Sequence, residues 1–388
     1  MKSVDVAVAG AGLVGLAFAR AAKNLSVAVL APRPAPSALE ADAPLGARIY
    51  AVSPGNVEFL RALRVWQHVP EGRVAPVHAM QVHGDDGRAL LEFDAYRAGV
   101  RELAWIVEDA ALQAALWRAL EHREGCEAIA GARCTALEAC ANEARLRLED
   151  GRILGARLVV AADGADSPLR TMAGIEARVR PYGQSAVVAN FACAQPHGNV
   201  ARQWFQGGPI LALLPLPGRQ VSMVWSLPER AAASLMEQAP EALCGAVEAA
   251  SGGAVGALSL VGAPHAFPLR RIAAHRIVAP RVALIGDAAH VVHPLAGQGA
   301  NLGFQDARVL AEVLAKRAPV EDIGALGVLR RYERARAEPV RAMDSMVHGL
   351  YGLFGSPDLF VGRLRNFGLN LTGRLPVLRN LLVRQAIG

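Results

Sequence analysis

The residues best placed to do chemistry lie in the run G-D-A-A-H-V-V-H-P-L-A-G-Q-G-A-N-L-G at 286–303, which sets an aspartate beside two histidines, a proline and a glycine-rich turn. The β-prone stretch Arg281 to Ile285 precedes it and ends in Gly286. Asp287 is therefore expected at the carboxyl end of a strand, where open α/β sheets bind ligands. Its carboxylate can accept hydrogen bonds from a ribityl hydroxyl. Gly297 and Gly299 then strip side chains from the mouth of a helix that Leu302, Val309, Leu310 and Val313 continue. Amides exposed at such a mouth stabilise negative charge, as along the N1-C2=O edge of a reduced flavin. The pairing of acceptor and helix mouth suits a flavin. His290 and His293 titrate near neutrality and invite assignment as a catalytic base. We read both instead as loop-shaping residues bonded to nearby backbone, and no base is assigned.

The amino-terminal run V-D-V-A-V-A-G-A-G-L-V-G-L-A-F-A-R-A-A offers a second ligand-holding turn: strand, glycines, apolar helix, and another strand at Ser26 to Leu30. Gly10, Ala11, Gly12, Leu13, Val14 and Gly15 form the turn, which in this setting receives a pyrophosphate. Gly10 permits the tight turn, Gly12 lets the backbone approach phosphate, and Gly15 lets the helix pack on the strand. An acidic residue that binds the adenosine ribose is expected where the second strand ends. Here V-A-V-L runs into Ala31-Pro32-Arg33. Either backbone groups or neighbouring side chains replace the missing acceptor, or the adenosine end is held less tightly.

Positioning these groups takes about two domains, and 388 residues with 53% hydrophobic content supply them. After the first β-α-β unit, Arg48 stands before a Ser53-Pro54 helix start, as either a ligand residue or an exposed loop cation. Val77 to Glu92, with the turn D-D-G, reads as a hairpin on an excursion into another domain. A helix begins at Glu108-Asp109 with Asp109 as N-cap. Strands at Ala132 to Leu137 and Ala144 to Leu148 follow, and the turn Asp150-Gly151 leads to a buried-type strand ending in Asp163-Gly164, with Ser167 and Arg170 beyond. Residues 181–269 hold short strands around one helical interval near 229–250, which suggests an antiparallel sheet roofing a pocket, with Trp204, Phe205 and Trp225 as candidate lining. From Ser345 the chain carries Arg363, Arg365, Arg374, Arg379 and Arg384 against Asp358 alone, interleaved with apolar residues. Basic amphipathic helices of that kind lie on anionic membranes, cover a partner, or pack on the protein's own body.

Bulk properties exclude several classes. Five cysteines without C-x-x-C spacing argue against a disulfide framework or zinc site and fit a reducing cytoplasm. The net charge is +6, but the basic residues are almost all dispersed arginines without an aromatic platform, so nucleic acid is a poor partner. The apolar stretch Val6 to Ala19 follows Asp5 and is explained by the phosphate turn rather than by a signal peptide. No run reaches the roughly 18 apolar residues of a spanning helix.

Four blocks together, GAGLVG at 10–15, ARIYAVS at 47–53, VVAADGADSPLR at 159–170 and GDAAHVVHPLAGQGANLG at 286–303, resemble the single-component flavin aromatic hydroxylases. I-V-E-D-A-A-L at 106–112, H-P-L-A-G-Q-G and R-L-R-N-F-G-L-N-L further resemble the ubiquinone-biosynthesis hydroxylases among them. The resemblance covers nearly the whole chain. It implies an α/β fold in which a Rossmann-like FAD-binding domain (1–76, 100–180 and 270–344) carries an inserted, mainly antiparallel substrate sheet (77–99 and 181–269), with C-terminal helices at 345–388. FAD is the implied cofactor, NAD(P)H its reductant, and O2 and a polyprenyl phenol its substrates, with ring hydroxylation through a C4a-hydroperoxyflavin. Gly10, Gly12 and Gly15 would hold the pyrophosphate, Arg48 would approach the flavin, and Asp287 would bind the ribityl chain. Gly297, Gln298, Gly299, Ala300 and Asn301 would surround the pyrimidine edge, and Pro294 would border the reacting carbon through its backbone carbonyl. Asp163-Gly164 matches the motif associated with FAD and NAD(P)H pyrophosphate. Asp109 departs from the Asn or Arg of similar proteins, which puts direct phosphate contact there in doubt. A soluble hydroxylase of small phenols, a flavin reductase or dehydrogenase, and a non-catalytic FAD-stabilised subunit of a biosynthetic complex stay open. The expected location is the cytoplasm, with the tail at 345–388 allowing peripheral association with the inner face of the membrane.

Overall fold

Val6 and Val8 face one side of the first strand and Ala7 and Ala9 the other, and all four are buried. Burial on both faces belongs to a parallel sheet covered twice. The computed structural model describes residues 2–36, 43–84, 89–294 and 297–355. In chain order the elements are β1 (Lys2–Ala9), α1 (Leu13–Ala21), β2 (Val27–Ala31), β3 (Ile49–Val52), α2 (Pro54–Ala62), β4 (Val74–Val77), β5 (Ala79–His83), β6 (Leu90–Asp94), α3 (Ala95–Ala98), β7 (Ala104–Glu108), α4 (Asp109–Glu121), β8 (Cys126–Ala130), β9 (Cys134–Ala139) and β10 (Ala144–Leu148). They continue through β11 (Ile153–Ala161), α5 (Pro168–Met172), β12 (Ala177–Cys193), β13 (Val200–Phe205), β14 (Ile210–Leu216), β15 (Gln220–Pro228), α6 (Glu229–Met236), α7 (Pro240–Ala250), β16 (Leu258–Ala274), β17 (Val278–Ala279), β18 (Val282–Leu284), β19 (His290–Val291), α8 (Gln298–Lys316) and α9 (Leu326–Gly355).

The first sheet runs β17-β18-β11-β1-β2-β8, parallel from β18 to β8, and β9 and β10 extend β11 as an antiparallel meander. Side chains of α1, α4, α8 and α9 cover one face, and the meander with α5 covers the other. A small antiparallel sheet, β3-β7-β4, stands beside it. The third sheet, β19-β16-β12-β15-β14-β13-β5-β6, is antiparallel except where β5 runs parallel to β13. Its strands β5 and β6 come from the expected hairpin, whose D-D-G turn lies outside the described residues.

One face of the third sheet packs on α6 and α7 through Val187, Phe191, Leu211, Met223 and Trp225. The other meets the small sheet, where Ala201, Leu214 and Leu216 pack with Val77 and Ile106. Val188, Ala212 and Val224 on that side are only half-buried although their strands are central, which leaves a cleft beside that contact. Trp204 and Trp225 correct an expectation, because both share the outer face with Leu211. Phe205 does face the cleft side, where it packs with Ile210 and Val347.

Several elements cross the boundaries expected from sequence. β12 begins at Ala177 and β16 ends at Ala274, so both strands run from one sheet's neighbourhood into the other, and α9 passes 344/345 without a break. Residues 356–388, most of the expected basic tail, lie outside the described residues. Asp109 is the first residue of α4 rather than its cap; Glu108 occupies the cap position without a side-chain bond, because its carboxylate is taken by Arg73 at 2.8 Å and the Gly46 amide at 2.7 Å. All five cysteines are free. Among the described residues no helix is long and apolar enough to cross a membrane.

Candidate cofactor and active site

The carboxyl ends of β1, β11 and β18 open at the same edge of the parallel sheet, and each is followed by one of the turns singled out in the sequence. Gly10 sits at φ +107, and a Cβ there would overlap the Ala162 carbonyl, while one at Gly15 would overlap the Gly10 carbonyl. Only glycine lets strand and helix meet this closely. At Gly12, by contrast, a Cβ would meet nothing within 4 Å. This open cradle lies at the start of α1, which has no side-chain cap and no acidic residue in its first turn. The surroundings therefore suit a phosphate. Ala31 ends β2 fully buried, and its carbonyl accepts from Ala132 N at 3.2 Å.

The turn after β18 packs onto the first one. Gly286, at φ +60, and Gly303 of α8 both rest on Val14 of α1. Asp287 stands in the short 3-10 turn Gly286–Ala288 and is solvent-accessible at the bottom of the cleft. Burial among its neighbours pushes its carboxyl above the usual range, against the pull of His290, Arg48 and Arg270. Arg48 extends across the cleft, 5.8 Å from the Phe267 ring, in the field of Asp109 and Asp287. Burial pushes Asp109 up too, and Arg48 offsets part of that.

Gly297, at φ +60, begins α8 without a side-chain cap, and a Cβ at Gly299 would again meet nothing within 4 Å. Gln298 is buried and Ala300 half-buried at this mouth. Two uncapped helix starts with open glycine faces thus border one cleft. A dinucleotide with a phosphate bridge at one end and an anionic ring at the other fits this arrangement.

Other expected residues turn out to hold the frame. Asn301 accepts from Ser53 N at 2.9 Å and donates to Ala51 O at 2.8 Å and Gly297 O at 3.1 Å, so its amide locks α8 to the β3–α2 turn. Asp163 accepts from Ser167 Oγ and from Leu169 N at 3.0 Å, which spends both oxygens on the start of α5. The Pro294 carbonyl accepts from Gly297 N at 3.0 Å, closing the turn; Leu295 and Ala296 lie outside the described residues.

Each histidine meets a side chain from another element. His290 Nε2 lies 2.7 Å from Asp306 Oδ2. Burial works against its charge, but the Asp306 carboxylate prevails and holds its pKa above the ordinary value. His293 Nε2 lies 3.4 Å from Gln184 Oε1 and its ring stands edge-on to Tyr182 at 4.8 Å. Burial pushes its pKa down to about 4, so it is neutral. Tyr182 and Gln184 reach it because β12 shifts register between Pro181 and Ser185, and such bulges re-aim side chains beside sites.

Arg170, placed beyond the Asp163-Gly164 turn in the sequence but given no role there, donates to Ala288 O at 2.9 Å and Ala165 O at 3.0 Å and so joins the second and third turns. Sequence reading missed Asp306 and Arg336. A signal was present: Asp306 falls four residues from both Leu302 and Leu310, on the apolar stripe of its helix, where a charge must have a partner.

The model of the FAD binding domain family matches residues 3–345. The chain belongs to this family. FAD is its cofactor, and it is an FAD-dependent monooxygenase. Over its full length the flavoprotein is 32% identical to the 3-demethoxyubiquinol 3-hydroxylase of Escherichia coli, covering 99% of that protein. It is 34% identical to the ubiquinone hydroxylase UbiL of Rhodospirillum rubrum, covering all of this chain and 90% of that one. Among solved structures, p-nitrophenol 4-monooxygenase PnpA of Pseudomonas putida shares the fold at TM-score 0.79 and 16% identity, covering 100% of this chain and 99% of that one. PqsL of Pseudomonas aeruginosa with 2-aminobenzoylacetate matches at TM-score 0.76 and 25% identity, over 95% and 99% of the two chains.

Proposed function

We propose that this flavoprotein hydroxylates the aromatic ring of a polyprenyl phenol in ubiquinone biosynthesis, with O2 as co-substrate and NAD(P)H as reductant. The end-to-end similarity to a 3-demethoxyubiquinol 3-hydroxylase and a ubiquinone hydroxylase carries this reading. The half-buried aliphatic face of Val188, Ala212 and Val224, opposite the cofactor cleft, supports an apolar ring with a long hydrocarbon substituent.

Bound FAD supplies oxygen activation once it is reduced. The chain's own residues do the rest. Gly10, Gly12 and Gly15, with the amides of Leu13 and Val14 and the close-packed Ala11, hold the pyrophosphate at the start of α1. Asp287 accepts from the ribityl chain, and Arg48 balances charge across the cleft. Gly297, Gln298, Gly299 and Ala300 line the flavin's pyrimidine edge, where the α8 amides stabilise negative charge, and Asn301 holds that mouth in place. Asp163 orders the second turn. Pro294 borders the reacting face without a side-chain donor, and neutral His293 behind it brings no charge to an apolar pocket. The third sheet positions the ring and excludes water.

Incorporation of oxygen-18 from O2 into product tests hydroxylation, and turnover that rises with prenyl chain length tests the lipid substrate. Unlabelled product, or small phenols turned over as fast as prenylated ones, would sink the respective half. The lipid precursor accumulated in a deletion strain names the carbon. We further propose that residues 356–388, basic and apolar in composition, bring the enzyme to an anionic membrane surface. The full chain should sediment with anionic liposomes and a chain ending at Gly355 should not; equal sedimentation would refute the proposal.

A further inference from the structure

Asp306 is completely buried inside the apolar packing of α8. A lone carboxylate in such a place is costly, and removing one partner of a buried charge is costlier still. The donors to Asp306 come from two parts of the chain, the Gly286–His290 segment and α9. Oδ2 accepts from the Gly286 amide at 2.9 Å and faces His290 Nε2 at 2.7 Å, while Oδ1 accepts from Arg336 Nε of α9 at 2.6 Å. Arg336 also donates to Gln305 Oε1 at 3.1 Å and Leu302 O at 3.3 Å, both on α8. One turn earlier on α9, Tyr332 donates to Leu284 O at 2.9 Å, on the strand that leads into the turn. Asp287 is thus flanked on both sides by residues fastened to α8 and α9, and none of these fasteners opens onto the cleft.

We propose that Asp306 is a positioning residue for the cofactor: with His290 and Arg336 it sets the height of the Gly286–Asp287 turn. The inference rests on Asp287 contacting the ribityl chain. Arg271 and Asp344 clamp α9 to β16 away from the turn, with Nε to Oδ1 at 2.8 Å, and provide a control that loosens the same helix without touching the cluster.

The experiment measures FAD affinity by titrating apoprotein and, separately, the rise in melting temperature that FAD produces, which reports ligand linkage apart from the stability of the apoprotein. Asp306→Asn should weaken FAD binding about tenfold or more and shrink the FAD-induced rise, whereas Arg271→Gln should lower the apoprotein's melting temperature and leave that rise intact. If Asp306→Asn does not fold, His290→Gln, which keeps a donor near the Nε2 position without the charge, is read the same way. Wild-type affinity and an intact rise in Asp306→Asn or His290→Gln, alongside weakened Asp287→Ala, would overturn the positioning role alone. Unchanged affinity in Asp287→Ala would instead overturn the placement of Asp287.

Discussion

His290 and His293 share one short segment and are pushed in opposite directions. Asp306 raises the pKa of the first; burial beside Tyr182 and Gln184 keeps the second neutral. Their effects on stability run in opposite directions with pH. For His290, whose folded pKa is raised, the contribution is whole below its ordinary 6.5 and fades as pH rises through the folded value. For His293 the unfolded chain takes up a proton near 6.5 and the folded one resists until about 4, so stability falls as pH drops across that window. The gap is worth about 3 kcal/mol. His293→Asn should flatten the acid limb of stability measured by denaturant at about pH 7 and about pH 4.5; an unchanged limb would contradict a buried neutral ring. Sequence left both residues without a catalytic role and did not reveal their partners, because Gln184 and Asp306 come from other elements. Ala31 offers a second test. Ala31→Glu should tighten FAD binding about tenfold by restoring an acceptor for the ribose, while lowering apoprotein stability because the site is fully buried. Titration and apoprotein melting read the two effects separately, and unchanged or weaker affinity removes the first.

At the scale of elements, α1 and α8 approach each other through glycine, with Val14 as the shared surface against Gly286 and Gly303. Gly303→Ala would press a methyl into Val14 and should destabilise by about 1–3 kcal/mol. Adding Val14→Ala should recover part of that loss, and denaturant unfolding of the single and double variants checks it; independent, additive losses would show that the two helices do not meet there. The glycine turns, the strand ends and the starts of α2 and α8 were legible in sequence because each is local chemistry. The clasp of α9 was legible only in half. Tyr332 and Arg336 lie one helical turn apart on an inward face, which flags a buried charge, yet nothing local tells that Asp306 receives it. The bulge in β12 was not legible at all. Gly183 announces a special backbone position, but which side chains it re-aims depends on register with β16.

Across the whole molecule, four separated blocks of sequence converge on one cleft, and their resemblance to a known family is what implied the fold class. β12 and β16 run past the domain edges drawn from it, because they are longer than any alternation within one domain suggests. These strands pair from Ala177–Ala274 to Cys193–Leu258, a span of roughly 55 Å at strand rise. Backbone amides along both strands should therefore exchange with solvent as one slow cooperative unit under native conditions, and hydrogen exchange that separates their two ends would argue against it. Mechanically, this pair is a girder joining the cofactor body to the substrate sheet. Two strands paired over this length resist a swing of the halves more than a single linking segment would, which disfavours admitting a bulky lipid by that route. Entry and exit are left to gaps between fixed walls and to the small movements of the segments that border them.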